Sequence, residues 1–192
     1  MTYNKELMEE SIRMFLKAIN VNLEDEHFKD TPKRVAEMNA ILFDKRDPNQ
    51  YVKMFKNEGY FKPVMQANIN FYSYCAHHLQ PFYGQIAIAY IPDKTIIGLS
   101  KLSRIARTFT RKPTTQEQLT TEIGRFLQIC DLKPKGVAII ILSSHMCLSK
   151  RGVRSHGLIT RTEFSSGQYK NDTLFERFER FVNKNTNEIF RY

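Results

Sequence analysis

The segment that most restricts the fold is YGQIAIAYIP, residues 83–92. It alternates residue by residue and stops at Pro92-Asp93, the pattern of a half-buried strand rather than a helix. Just ahead of it, VMQANINFYSY (64–74) alternates too and is rich in strand formers. Downstream, Gly136 opens VAIIILSSHMC (137–147), an apolar run suited to a buried strand, and RSHGLITRTEFSSG (154–167) supplies a further strand candidate. Two helical segments lie between these pairs. SKLSRIARTFTRK puts Leu102, Ile105, Ala106 and Phe109 on one face, and TTQEQLTTEIGRFLQIC does the same with Leu119, Ile123, Phe126, Leu127 and Cys130. Hairpin-like strand pairs flanking a helical pair predict an α+β domain with a mainly antiparallel sheet.

The flanks are helical. Met8, Ile12, Phe15, Leu16 and Ile19 form one helical face. In DTPKRVAEM, Thr31 or Asp30 can cap a second helix, Pro32 suits its first turn, and Val35, Met38 and Leu42 line one side. The polar break FDKRDPNQ follows, and we expect a boundary near Gly59, with a helical extension over 1–58 and the main domain over 59–192. The chain closes with an amphipathic helix carrying Leu174, Phe175, Phe178, Phe181 and Val182.

The chain has 192 residues, 42% of them hydrophobic, enough for one cored domain with an extension. Its net charge of +9 suits an anionic partner, whether nucleic acid, a membrane surface or a phosphorylated small molecule, or simply a basic surface. Three cysteines at unrelated spacings are not a disulfide framework. The opening MTYNKELMEE lacks the apolar run of a signal peptide, and no stretch approaches the roughly 18 apolar residues of a membrane span. A reducing, cytoplasmic setting is the expectation.

Chemistry concentrates in YCAHHLQPFYG (74–84). Cys75 and His78 form C-x-x-H, a spacing at which a tight turn can aim both side chains at one ion. A structural zinc site needs a second ligand pair, and no second C-x-x-C or H-x-x-x-H is present. The other candidates are His145 and Cys147 in SSHMCLS, expected on one face at a strand end. If Cys147 joins Cys75 and His78, three protein ligands leave a fourth position open, as in catalytic zinc. His77 and His145 would then be unligated histidines placed to move protons. The competing reading of any of these cysteines is a small core residue, which is what we expect of Cys130.

Lys101, Arg104, Arg107 and Arg111 fall on the polar side of their helix, where Ser100 is placed to cap it. They read equally as a solvated basic face. Thr114 and Glu117 have the spacing of a capping box. Glu117 points away from the apolar stripe and is free to pair with adjacent N–H donors such as those of a guanine edge. KRGVR adds Lys150, Arg151 and Arg154 just after Cys147, which suggests an anionic substrate gripped by guanidinium.

Taken in order, DTPKRVAEM, CAHHLQPFYGQIAIAYIPD, IGLSKLSRIARTFTRKPTTQEQLT and SSHMCLSKRGVR resemble the successive signature segments of GTP cyclohydrolase I, from about residue 30 to the last helix. The resemblance implies the tunnelling fold, an antiparallel sheet with two helices on one side. It implies a homo-oligomeric ring, usually a decamer, with active sites between subunits. It implies Zn2+ held by Cys75, His78 and Cys147. His145 would protonate the purine, and His77 and Ser100 would help open the ribose. Glu117 would anchor the guanine of GTP with Gln116 beside it, and Lys101, Arg104 and Arg151 would hold the triphosphate. The implied reaction attacks C8 with water at the zinc, releases formate, and recloses the ring as 7,8-dihydroneopterin triphosphate.

Two positions depart from the family pattern: Ala76 stands where a Glu is usual and Gln118 where an Arg is common. Neither is a proposed zinc ligand, so rate and fine specificity are what they put in question. Two rival readings stand beside this one. One is another tunnelling-fold enzyme of pterins or deazapurines, of which the branch that reduces a nitrile with a nicotinamide cofactor and a nucleophilic Cys would not need two zinc thiolates plus a histidine pair. A basic zinc module binding nucleic acid would need the ligand pair that is missing, which disfavours nucleic acid as the partner. Membranes are not expected as partners, and the pathway that takes the product is left open.

Overall fold

The structure, a computed structural model, describes residues 3–155 and 157–186; His156, inside the last strand candidate, lies outside the described residues. The chain divides into two compact units, Met1–Lys45 and Arg46–Tyr192.

The first unit pairs helix α1 (Lys5–Ala18) with α2 (Thr31–Leu42). Asn4 begins α1 by accepting from the Leu7 N–H at 2.9 Å. Of the face expected to be covered, Leu16 is buried, whereas Phe15 and Ile19 are exposed. Asp30 precedes α2 without a side-chain cap, Pro32 sits in the first turn, and the buried row is Pro32, Ala36 and Asn39. Val35, Met38 and Leu42 were expected there, yet Met38 is exposed. Two helices cover only a narrow stripe of each other, and a row centred on a small Ala lets them approach. That is why the wider apolar faces stay open.

In the second unit, β1 (Met54–Lys56) pairs antiparallel with β4 (Thr95–Ile97). Met54–Lys56, grouped with the extension on sequence, thus pairs with a strand of this unit. The main sheet has five strands in the order β5-β2-β3-β6-β7. They are β2 (Val64–Cys75), β3 (Pro81–Ile91), β5 (Pro113–Thr114), β6 (Gly136–His145) and β7 (Thr160–Gly167). All pairings are antiparallel except the short one between β5 and β2. The expected α+β class and antiparallel sheet are therefore present.

Alternation in β3 and β6 sorts the core into two. Ile86, Ile88 and Tyr90, with Val137, Ile139 and Ile141, pack in one cluster against α3 (Leu99–Phe109) and α4 (Gln116–Ile129) through Leu102, Ile105, Leu119, Ile123 and Leu127. Each such fully buried aliphatic side chain stabilises by about 1.5–3 kcal/mol. Ala87, Ala89, Ile91, Ala138 and Ile140 turn the other way, toward Tyr169 and toward Phe178 and Val182 of α6 (Asp172–Asn185). Two helices cover one face as expected, and α6 covers part of the other. Gly124 is what lets α4 lie on β7, since a Cβ there would run into the Phe164 ring.

Candidate metal centre and active-site cavity

The site forms where three strands end together. Cys75 is the last residue of β2 and is buried. Its N–H donates to the Gln80 carbonyl at 2.9 Å and its carbonyl accepts from the Leu79 N–H at 2.8 Å. Leu79 takes a left-handed conformation (φ 50°) to close this turn, which leaves His77 and His78 exposed on it. The β5 bridge pairs Thr114 with Cys75, and the Ala76 N–H donates to the Thr114 carbonyl at 3.1 Å. Helix α4 starts straight after that bridge. Its cap is Thr115, which accepts from the Gln118 N–H at 3.2 Å, one residue later than the Thr114 cap expected. Thr114 is held in the sheet and donates its hydroxyl to the Thr115 carbonyl instead. The first turn of α4 thus delivers Gln116 and Glu117 beside the Cys75 turn.

On the far side of β3, strand β6 ends at His145, paired with Phe82. A one-turn helix, α5 (Met146–Ser149), then carries Cys147 back over the sheet end. Cys147 and His145 were expected to share a strand face; the turn of helix, not the strand period, is what brings the thiol in.

Cys75, His77, His78, Gln116, Glu117, His145 and Cys147 line one cavity of about 320 Å³, together with Thr115, Leu148 and Thr160. The ligating atoms of Cys75, His78 and Cys147 lie within 4.8 Å of one another, with Cys75 Sγ 3.9 Å from His78 Nδ1. Tetrahedral zinc with Zn–S near 2.3 Å and Zn–N near 2.0–2.1 Å sets donor atoms about 3.6–3.8 Å apart. Two thiols and an imidazole at this spacing fit zinc after small side-chain shifts. Burial pushes the Cys147 thiol above its ordinary value, and nearby Cys75 adds to the shift; a bound cation acts in the opposite sense, because it takes thiolates.

His145 is half-buried, and its ring lies flat against Phe82, with centroids 4.6 Å apart and planes 3° apart. Burial lowers its pKa, while the Glu117 carboxylate pulls the other way. Its Nε2 is 2.9 Å from Gln116 Oε1. Cys130 is a core thiol, bonded to the Leu127 carbonyl at 3.5 Å and raised in pKa by burial, as expected.

Ser100, Lys101, Arg104 and Arg151 do not line this cavity. Ser100 is exposed inside α3, whose N-cap is Gly98 with no side-chain bond, so the expected Ser100 cap is absent. Arg104 lines a separate cavity of about 210 Å³ with Arg46, Tyr51, Arg107, Thr108 and Arg111, and its guanidinium lies 6.0 Å over the Tyr51 ring. Arg151 is exposed just after α5. Of the two departures, Ala76 is exposed on the turn, and Gln118 donates to Glu122 at 2.9 Å. Sequence reasoning did not single out Phe82, Ser143 or Thr160. Ser143 could have been found, because it lies two residues before His145 at strand period.

The GTP cyclohydrolase I family model matches residues 8–183. A GTP cyclohydrolase 1 from Aquifex aeolicus (strain VF5) is 44% identical over 173 residues, which cover 90% of this chain and 92% of that protein. One from Streptococcus agalactiae serotype Ia is 41% identical over 180 residues, covering 92% and 94%. Among solved structures, the apo form of archaeosine synthase QueF-Like is similar at a TM-score of 0.45 and 12% identity, covering 58% of this chain and 97% of that one, too distant to bear on the site. With most of its length matched in sequence, this chain belongs to the GTP cyclohydrolase I family.

Proposed function

We propose that the chain is a zinc-dependent GTP cyclohydrolase that converts GTP and water to 7,8-dihydroneopterin triphosphate and formate. The observation that carries this reading is the Cys75–His78–Cys147 donor set in a cavity that also holds two further histidines and a carboxylate. Zinc held by those three residues supplies Lewis acidity and a nucleophile at neutral pH.

The other roles belong to the chain's own side chains. His145, fixed against Phe82, hands a proton to the purine during opening of its five-membered ring. His77, exposed on the turn, moves protons at the ribose together with Ser100. Glu117 at the start of α4 takes the adjacent N–H donors of the guanine edge. Lys101, Arg104 and Arg151 take the triphosphate by charge-assisted bonds.

These cations lie outside the cavity of their own chain, which supports sites completed by a second copy. The sheet supports the same reading. Within the described residues β7 has a partner on one side only, and β2 is covered on its outer side only at Tyr74 and Cys75. Open edges of this kind favour pairing with another chain, and a homo-oligomeric ring such as a decamer uses both. No helix among the described residues is long and apolar enough to cross a membrane. The free thiols of Cys75, Cys130 and Cys147 suit the reducing cytoplasm.

The test is the purified protein with GTP, read for a pterin chromophore and for formate, with light scattering on the same sample. Both products from an oligomer are expected. Salt-dependent nucleic-acid binding without turnover would overturn the reading.

A further inference from the structure

We propose that Gln116 is a positioning residue that locks His145 as its Nε2–H tautomer and reserves Nδ1 for proton exchange. The proposal rests on the reaction above only in assigning His145 a proton-moving role.

The orientation of the Gln116 amide follows from its partners. Its Nε2 lies 3.1 Å from the Ile141 carbonyl, 3.1 Å from the Thr160 carbonyl and 3.0 Å from Thr162 Oγ1. Backbone carbonyls only accept, so the NH2 end must face them. The carbonyl end, Oε1, then faces Ser143 Oγ at 2.6 Å and His145 Nε2 at 2.9 Å. The reversed amide would set an oxygen against two carbonyl oxygens.

The hydroxyls around it leave no slack. Thr120 Oγ1 lies 2.7 Å from the Gln116 backbone carbonyl and must donate to it. The 2.6 Å bond between Thr120 and Thr162 is therefore donated by Thr162, which accepts from Gln116 in turn. Direction is fixed all the way from backbone to imidazole.

With Oε1 as acceptor, His145 Nε2 must carry a hydrogen. A bare nitrogen there would oppose two lone pairs at 2.9 Å. A ring flip would put a C–H against Oε1, and stacking on Phe82 fixes the plane. No described residue bonds Nδ1, so it is the nitrogen left for chemistry. Gln116 itself is 2% exposed, with both ends of its amide engaged. Its side-chain amide has no bond left for a guanine, so the role proposed for that side chain is support rather than substrate contact.

Solid-state NMR of the zinc-loaded, 15N-histidine-labelled full chain reads the tautomer directly, at a pH where the imidazoles are neutral. His145→Ala identifies the signals. Wild type should show a protonated Nε2 and a bare Nδ1. Gln116→Met removes the acceptor at similar length. It should give mixed tautomers, keep its zinc, and lose turnover on the order of 10²-fold with little change in KM. Gln116→Glu, protonated in this buried slot, can still accept from Nε2 and donate to a carbonyl; it should restore the tautomer and most of the turnover. Ser143→Ala, which leaves the His145 bond intact, should keep the Nε2–H form even if Gln116→Met does not fold. A protonated Nδ1 in wild type overturns the proposal. So does a Gln116→Met chain with a raised KM and unchanged kcat, the signature of a substrate contact. Absence of GTP turnover in wild type with the tautomer as expected would remove the reaction and leave the lock standing.

Discussion

Two groups of buried polar atoms on opposite faces of the central sheet are treated in opposite ways. On the α4 face, Gln116, Thr120, Ser143, His145 and Thr162 satisfy one another through bonds of fixed direction. On the α6 face, the Tyr169 hydroxyl and Gln85 Oε1 are buried with no partner. A satisfied group costs free energy to remove, whereas an unsatisfied one costs free energy to keep. Polarity alone therefore does not mark a functional site; the mutually satisfied group is the one that borders the cavity.

Five substitutions break or sharpen this contrast. The largest effect is expected at the metal ligands. Cys147→Ala should lose zinc and turnover together, while Cys130→Ala, the core thiol, should keep both; metal analysis beside a formate assay decides it. Full zinc occupancy in Cys147→Ala would defeat the ligand assignment.

His145→Ala should keep zinc and GTP binding yet lose turnover by roughly 10² to 10⁴, the usual worth of a positioned proton-transfer group. A purely structural histidine would instead lower the melting temperature and leave turnover per folded chain nearly normal.

Gly124→Ala tests packing on the same face without touching polarity. Driving a Cβ into the Phe164 ring should destabilise by about 1–3 kcal/mol, read from denaturant melts. No loss would mean that α4 can lift off β7 freely.

The smallest effect, and the only gain, is expected across the sheet. Tyr169→Phe removes an unpartnered buried hydroxyl and should stabilise by about 1 kcal/mol. Burial pushes the Tyr169 phenol well above its ordinary value. The fold therefore favours the neutral form. That contribution is intact below a pH of about 10, the unfolded value, and is lost as pH rises toward the folded one. Wild type should lose melting temperature on the alkaline side more steeply than Tyr169→Phe. Parallel curves would show that the hydroxyl finds a partner.

Much of this was legible in the sequence. The two-residue period of 83–92 located β3, and the apolar stripes around Ile105 and Ile123 located α3 and α4. The C-x-x-H turn and the distant Cys147 did come to one place. Helix starts were missed by a residue or two for a tertiary reason. Pairing with Cys75 draws Thr114 into the sheet and hands the cap to Thr115. The role of Gln116 was illegible because its partners Ile141, Thr160 and Thr162 are 25, 44 and 46 residues away. No local pattern encodes such a meeting. The α1–α2 stripe failed for the opposite reason: periodicity marks an apolar face but not how wide a neighbour will be.

Strands β2 and β6 are not neighbours; β3 runs between them. Ladder bonds tie each to β3 and neither to the other. The Cys75 turn and α5 reach over the start of β3 from opposite sides, so a zinc ion held between them would be a clasp across three strands. It would close a long chain loop, and clips of that kind act most strongly on the open state. Chelation should therefore loosen this end of the sheet first. Faster amide hydrogen exchange is expected around Phe82 and Tyr83, while the opposite end, near Tyr90 and Val137, keeps its protection.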